Sequence, residues 1–297
     1  MGKLVRCHLD GISFRSLMDE SGKSLGGTFG KIIKYLEDLP HCADVTRKYS
    51  LKWSGILVVD GKFVKVRGYE KKIPVIYGID FVVHDIPTYR LCPSENYLAC
   101  LEFFRSLRLL NYPLRALVCD DNENIRLACL AVYPNTVIQI CQCHYLENIR
   151  RILGVRSDFT YVSFVRRLEG LFHPKRNEDD FNRTAKDILN EYKDDGRCVS
   201  VMIDIHRRKG FLLGYLRCKQ CPKTTNIIEC FNSHINGRLL SQRGFKTFRN
   251  ADSFVNGWFL RRRTKKFTSC KGKFRHLNGK KPLEISGKPD VVIPTLF

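Results

Sequence analysis

The 297-residue chain carries 51 Lys+Arg against 30 Asp+Glu, a formal charge of +21. A composition of 43% hydrophobic and 27% charged residues is that of a folded globule and excludes wholesale disorder. No apolar run reaches the ~18 residues of a membrane helix. The N-terminal stretch lacks a signal-peptide core, and 13 scattered cysteines suit reduced thiols or a metal site better than a disulfide framework. Such a charge calls for a polyanion, most simply nucleic acid, and for a cytoplasmic, nucleoid-associated protein with no membrane partner.

In chain order, residues 13–20, a Ser21-Gly22 turn and residues 23–39 read as two helices. Phe14, Leu17 and Met18 share a face of the first; Phe29, Ile32, Ile33 and Leu36 recur at helical spacing in the second. That is the outline of a small helix-turn-helix, and equally of any helical hairpin. Residues 55–60, 63–67 and 74–83 are β-branched and aromatic runs, punctuated by Asp60-Gly61 and Gly68, and predict a three-stranded meander. Ser94 is the expected cap of a helix over 95–110 with Leu98, Leu101 and Phe104 inward. A strand over 116–120, a helix over 122–133 and a strand over 136–140 follow. Residues 143–217 lose the strand signal and predict several helices, and a last helix covers 226–240. The class is α/β, a mixed sheet with helices on its faces.

The basic excess gathers at the end, where residues 231–297 hold 15 Lys+Arg and 3 Asp+Glu. Its densest part is Arg261, Arg262, Arg263, Lys265, Lys266, Lys271, Lys273 and Arg275, with Phe267 and Phe274 interleaved. This reads as a solvated tail or as an arm that contacts phosphates by counterion release. Gly279, Pro282, Gly287, Pro289 and Pro294 mark an irregular end.

Three acids stand out. Asp60 closes the run Ile56-Leu57-Val58-Val59, and Asp120 closes Ala116-Leu117-Val118-Cys119. Glu229 lies near the start of a helix whose Ile228, Phe231 and Ile235 turn inward. Each has a plain alternative: Asp60-Gly61 as a type I′ hairpin turn, Asp120 as a helix cap, Asn226-x-x-Glu229 as a capping box. Jointly, in a basic protein, they fit two-metal phosphoryl transfer, in which carboxylate oxygens hold two Mg²⁺ ions about 4 Å apart.

Leu117-Val118-Cys119-Asp120, then Glu123, Ala128, Val132-Tyr133-Pro134 and the run from Gln139 through Cys141-Gln142-Cys143-His144 to Asn148-Ile149 resembles the second-aspartate block of Mutator-like bacterial and archaeal insertion-sequence transposases. Thr224-Thr225-Asn226-Ile227-Ile228-Glu229-Cys230-Phe231-Asn232, with Arg238 and Gly244-Phe245 beyond, resembles the glutamate block, and Val58-Val59-Asp60-Gly61 the first-aspartate block. The similarity spans about residues 50–260, with 59 residues between the aspartates and 108 between Asp120 and Glu229.

The resemblance implies an RNase H-like core over 51–260 with an all-helical insertion at about 145–220. A helix-turn-helix-like DNA-binding segment over 1–50 precedes that core, and a basic tail over 261–297 follows it. It implies Asp60, Asp120 and Glu229 as the DDE triad and ligands of two Mg²⁺ ions, with Mn²⁺ able to substitute. It further implies cutting of terminal inverted repeats and joining of 3′-hydroxyl ends to target DNA, by a homodimer on double-stranded DNA. Asn232, Arg238, Arg243, Arg261, Arg262, Arg263, Lys265 and Lys266 are the expected DNA contacts. Asp121 competes with Asp120 as the ligand, but neighbouring strand residues face opposite sides, so one of them alone serves, and Asp120 is the choice. The alternative functions are a transposase-derived DNA-binding protein that does not cut, and an RNase H-like nuclease.

Cys141, Cys143, His144, Cys218 and Cys221 contain enough soft ligands for a structural zinc site, and equally suit apolar packing.

Overall fold

The computed structural model describes residues 1–173, 177–288, 292 and 295–297; Pro289 and Pro294, part of the expected irregular end, lie outside the described residues. The chain forms two units, one of Met1–Pro113 with Asn226–Phe297 and one of Leu114–Thr225.

The first unit opens with α1 (Gly2–Leu9), α2 (Phe14–Ser21), α3 (Leu25–Glu37) and α4 (Cys42–Tyr49). Ser13 and Ser24 cap α2 and α3 by accepting from the Ser16 and Gly27 amides, and Gly22 closes α2 in the left-handed conformation at φ 61°. The expected helix pair is there, and α1 packs on both of its helices through Val5, Leu9, Leu17 and Ile32. Helices α1 and α4 are not among the expected elements.

Next come β1 (Ile56–Val64), β2 (Ile73–Asp80) and β3 (Tyr89–Leu91), antiparallel with β2 in the middle. The expected turn at Asp60-Gly61 is absent: β1 runs straight through, paired with β2 from Leu57↔Asp80 to Val64↔Ile73. A type I′ turn needs positive φ at both central residues, and neither Asp60 nor Gly61 has it. Helix α5 (Tyr97–Leu109) follows, capped by Asn96, which accepts from the Ala99 amide at 3.0 Å; Ser94, the expected cap, accepts instead from the Asn96 side chain. Its inward stripe is Ala99, Cys100, Phe103, Phe104 and Leu107, which leaves Leu98 exposed.

The second unit begins as a parallel crossover, β4 (Ala116–Cys119), α6 (Glu123–Val132) and β5 (Val137–Ile140), in register from Ala116↔Val137 to Cys119↔Ile140. Among the described residues the α-helices that follow are α7 (Gln142–Ile152), α8 (Val162–Leu171), α9 (Glu178–Glu191), α10 (Gly196–Leu212) and the short α11 (Gly214–Arg217). They share a core that includes Tyr145, Ile149, Phe164, Leu168, Phe181, Ile188 and Met202. Gly214 abuts β5 so closely that a Cβ there would lie 2.2 Å from the Ile138 carbonyl oxygen.

The chain returns to the first unit through α12 (Asn226–Gln242), α13 (Phe248–Thr264) and α14 (Pro282–Ser286). Helix α13 corrects the reading of residues 261–297 as a tail. Thr247 caps it, Phe254, Val255 and Phe259 are buried along it, and Arg261, Arg262 and Arg263 form its last turn. Beyond it Phe267, Leu277 and Leu283 are buried, and the Ser286 carbonyl accepts from the Leu51 and Lys52 amides.

Arg263 is the sharpest departure. Expected at a DNA phosphate, it is fully buried against an equally buried Asp85, with Nε and a terminal nitrogen each 2.8 Å from one carboxylate oxygen. Its remaining donors reach the Cys42 carbonyl, Thr46 and Ser50 at 2.9–3.0 Å. All five guanidinium N–H groups are therefore satisfied internally. Burial opposes the charge, but the Asp85 carboxylate more than restores it, so the guanidinium pKa is raised.

Candidate active site

In the first unit, Asp60 lies on β1 directly across from Tyr77 of β2. Its Oδ1 accepts from the Gly61 amide at 2.7 Å and its Oδ2 from Nδ2 of Asn232 at 2.5 Å. Asn232 is in turn held by Tyr77, whose hydroxyl donates to Asn232 Oδ1 at 2.9 Å. The Tyr77 hydroxyl is buried and faces the Asp60 charge; both effects push its pKa well up, so it stays a donor. Tyr77–Asn232–Asp60 is thus a relay of neutral donors that orients one carboxylate oxygen without neutralising it.

Glu229 is exposed on α12, three residues before Asn232 and so one turn away on the same side of the helix. Helix α12 packs on β1, and the first unit therefore brings the helix that carries Glu229 onto the strand that carries Asp60. Two further charges flank Asp60. Lys62, two positions along β1 on the same face, has a lowered pKa because it is part-buried, Asp60 opposing and Lys72 adding to the fall. Glu95 comes within 2.9–3.1 Å of where a side chain at Gly61 would stand.

In the second unit, Asp120 follows β4 directly. The helix cap is Asn122, which accepts from the Ile125 amide, so Asp120 is not spent as the α6 cap. Asp120 Oδ1 lies 2.6 Å from His144 Nδ1, with both side chains 40% exposed. Thr225 sits beside them: its hydroxyl is 3.2 Å from Cys141 Sγ, 3.2 Å from His144 Nδ1 and 3.5 Å from Asp120 Oδ1.

Asp121 is held differently. Two guanidiniums, of Arg126 and Arg208, clamp it, and Arg208 also reaches Asp204, which accepts from the Tyr145 hydroxyl. With 18% of its side chain exposed and two cations on it, Asp121 is an anchor for α6 and α10. The two neighbouring acids thus have different partners, His144 for Asp120 and two guanidiniums for Asp121.

The cysteine set separates. Among the described residues, the group of His, Cys, Asp and Glu close enough to hold one ion is Asp120, Cys141 and His144. Cys143 is exposed, and the Cys218 and Cys221 thiols donate to the neighbouring Lys219 and Pro222 carbonyls. The sequence grouped five residues by spacing, and the fold keeps two of them and adds Asp120.

The expected DNA contacts divide as well. Asn232 is buried in the Asp60 relay. Arg238 lies against the Gly11 backbone, Arg261 pairs with Asp10 at 2.9 Å, and Arg262 is sandwiched between the Phe231 and Phe267 rings at 4.4 and 4.9 Å. Arg243, Lys265 and Lys266 are exposed, as are Lys271, Lys273 and Arg275.

As a donor set, Asp60 and Glu229 offer carboxylate oxygens, which is what Mg²⁺ takes. Asp120 offers the same, but with a thiol and an imidazole beside it that suit softer ions. The sequence settles the family. Residues 28–256 match the family described as Transposase, Mutator family, and the chain belongs to it. No curated protein matches the chain significantly. Among the described residues no helix is long and apolar enough to cross a membrane.

Sequence reasoning missed Tyr77, Lys62, Glu95, Thr225 and the Arg126–Arg208 clamp. Lys62 was within reach, since alternation places it on the Asp60 face. Tyr77, Thr225 and Arg208 act through pairings 155, 81 and 87 positions apart, for which one sequence carries no signal.

Proposed function

We propose that the chain is a DNA transposase that cuts element ends and joins the freed 3′-hydroxyls to target DNA, with Asp60, Asp120 and Glu229 as ligands of two Mg²⁺ ions, Mn²⁺ substituting. Membership of the family supports DNA as the substrate. The observation that carries the reading is the Tyr77–Asn232–Asp60 relay, because it orients one oxygen of an acid on the strand against which the Glu229 helix packs.

When bound, the ions supply Lewis acidity at the attacking and leaving oxygens. The residues supply the rest. Asn232 holds Asp60 in one rotamer, and Glu229, one turn back, presents its carboxylate from the same helix face. His144 fixes Asp120, and Arg126 with Arg208 keeps Asp121 out of competition. Exposed Arg243, Lys265, Lys266, Lys271 and Arg275 contact phosphates, which position DNA without reading sequence. The α2–α3 pair of the 1–50 segment is the proposed reader of end sequence. The proposed catalytic core, 51–260, is RNase H-like, with the helical insertion at about 145–220, and a homodimer brings two ends together at the nucleoid.

The test is Mg²⁺-dependent cleavage of DNA bearing the element ends. Wild type should cut; Asp60→Ala, Asp120→Asn and Glu229→Gln should each lose at least 10³-fold in rate while still binding DNA. Binding without cleavage by the wild type would establish the non-cutting alternative. Cleavage indifferent to end sequence, with no joining, would establish the nuclease.

A further inference from the structure

We propose that Asp120, Cys141 and His144 form a transition-metal site that takes Zn²⁺, and that filling it withdraws Asp120 from Mg²⁺-dependent chemistry. The second half rests on the proposed role of Asp120; the first half stands on geometry.

One ligand atom from each residue lies within 4.8 Å of the other two. Around tetrahedral zinc, with bonds of about 2.0–2.3 Å, such atoms stand about 3.5 Å apart. Side-chain shifts of about 1.3 Å or less close the site, the widest pair drawing together and the 2.6 Å Asp120–His144 contact opening to admit the ion. Cys141 is fully buried just ahead of α7, and His144 lies in the first turn of that helix, so two ligands share one rigid element.

Thr225 Oγ1 lies 3.2–3.5 Å from all three ligand atoms, so the three converge on one point. A divalent cation can engage all three. Binding releases one proton: the Cys141 thiol gives its proton to solvent, and the neutral His144 ring ligates through Nδ1 with its single proton on Nε2. One thiolate, one imidazole and one carboxylate favour Zn²⁺ or Co²⁺ over Mg²⁺, which takes oxygen. With three protein ligands and two of them 40% exposed, a fourth position faces solvent, the arrangement of an exchangeable rather than a permanent structural zinc.

Intact protein is first titrated with Co²⁺ in the absence of DNA. A visible d–d band with a thiolate-to-cobalt charge-transfer band is expected, and Zn²⁺ should bleach both. Cys141→Ser should abolish the charge-transfer band and weaken Zn²⁺, measured against a chromogenic chelator, by at least about tenfold. A Cys218→Ser/Cys221→Ser variant should keep both properties. His144→Gln gives a second test should Cys141→Ser not fold: it should weaken Zn²⁺ to a similar degree. Absence of the charge-transfer band in wild type, or its persistence in Cys141→Ser, overturns the site. In the second arm, Zn²⁺ is added to the Mg²⁺-supported cleavage assay. Inhibition that follows site occupancy and is relieved by chelator supports withdrawal of Asp120, and unchanged cleavage at full occupancy overturns it. A filled zinc site in a protein that never cuts with Mg²⁺ sinks the transposase reading and leaves the metal site standing.

Discussion

Replacing Arg263 with alanine should destabilise the first unit rather than loosen its hold on DNA. The side chain is fully buried with all five donors used, and Asp85, also fully buried, has Arg263 as its cation and a Ser286 hydroxyl donor at 2.6 Å. Truncation leaves a carboxylate in the interior without its counter-charge, and breaking a buried pair from one side costs about 3–5 kcal/mol. For a folded unit of this size that lowers the melting temperature by on the order of 10 °C. Urea titration with near-UV and far-UV detection gives the free energy, and a cycle with Asp85→Leu separates the pair from its surroundings. The Arg263→Met/Asp85→Leu double variant should recover most of the loss, because two apolar groups replace two matched charges. A loss below about 1 kcal/mol in Arg263→Ala, or simple additivity in the cycle, refutes the assignment of Arg263 to the interior.

Four further outcomes follow from the geometry. Asn232→Ala should slow Mg²⁺-dependent cleavage about 10–100-fold with little change in DNA affinity, because it frees Asp60 to rotate; an unchanged rate removes the relay from the account. Asp121→Asn should lower stability and keep the metal dependence of cleavage, whereas Asp120→Asn should do the reverse, and stability curves paired with Mg²⁺ titrations tell them apart. Changing Lys265, Lys266, Lys271 and Arg275 together to glutamine should flatten the slope of log affinity against log salt by up to about 3.6. No change in slope would place the DNA elsewhere. Burial holds His8 and His84 down to about 4, with cationic neighbours adding to the fall at His84. Their unfolded values are near 6.5, so the unfolded chain binds more protons between pH 6.5 and 4. Stability should therefore be complete above pH 6.5 and fall with acidification by up to about 1.4 kcal/mol per pH unit for each histidine. Denaturation midpoints at pH 6.5 and 5.5 check this, and His8→Phe should halve the slope.

What the sequence made legible were features with local causes. Ala116–Cys119 and Val137–Ile140 are short apolar runs flanking a helical period, and they fold as the parallel crossover that their spacing suggests. The Gly22 turn and Asp120 at a strand end are likewise local. The failures share another cause. Arg261, Arg262 and Arg263 look solvated because the partners that bury them, Asp10, Phe231 and Asp85, stand far away in the chain. Asp60-Gly61 looks like a turn because a dipeptide preference cannot register the eight cross-strand pairs that keep β1 extended. The zinc candidates were grouped by cysteine spacing, while the ligand that the fold adds beside Cys141 and His144 is an aspartate.

The packing of residues 283–288 against the approach to β1 bears on how copies of such a gene decay. Leu283 and Ser286 are buried, Gly287 bridges Ser50, and the Lys288 amide donates to the Tyr49 carbonyl at 2.8 Å. A premature stop codon shortly before position 283 spares every residue of the family match and all three acids. It nonetheless removes the clasp on the segment that feeds the Asp60 strand. Such a copy would read as intact in any census of acidic signatures, yet its product should be lost to proteolysis.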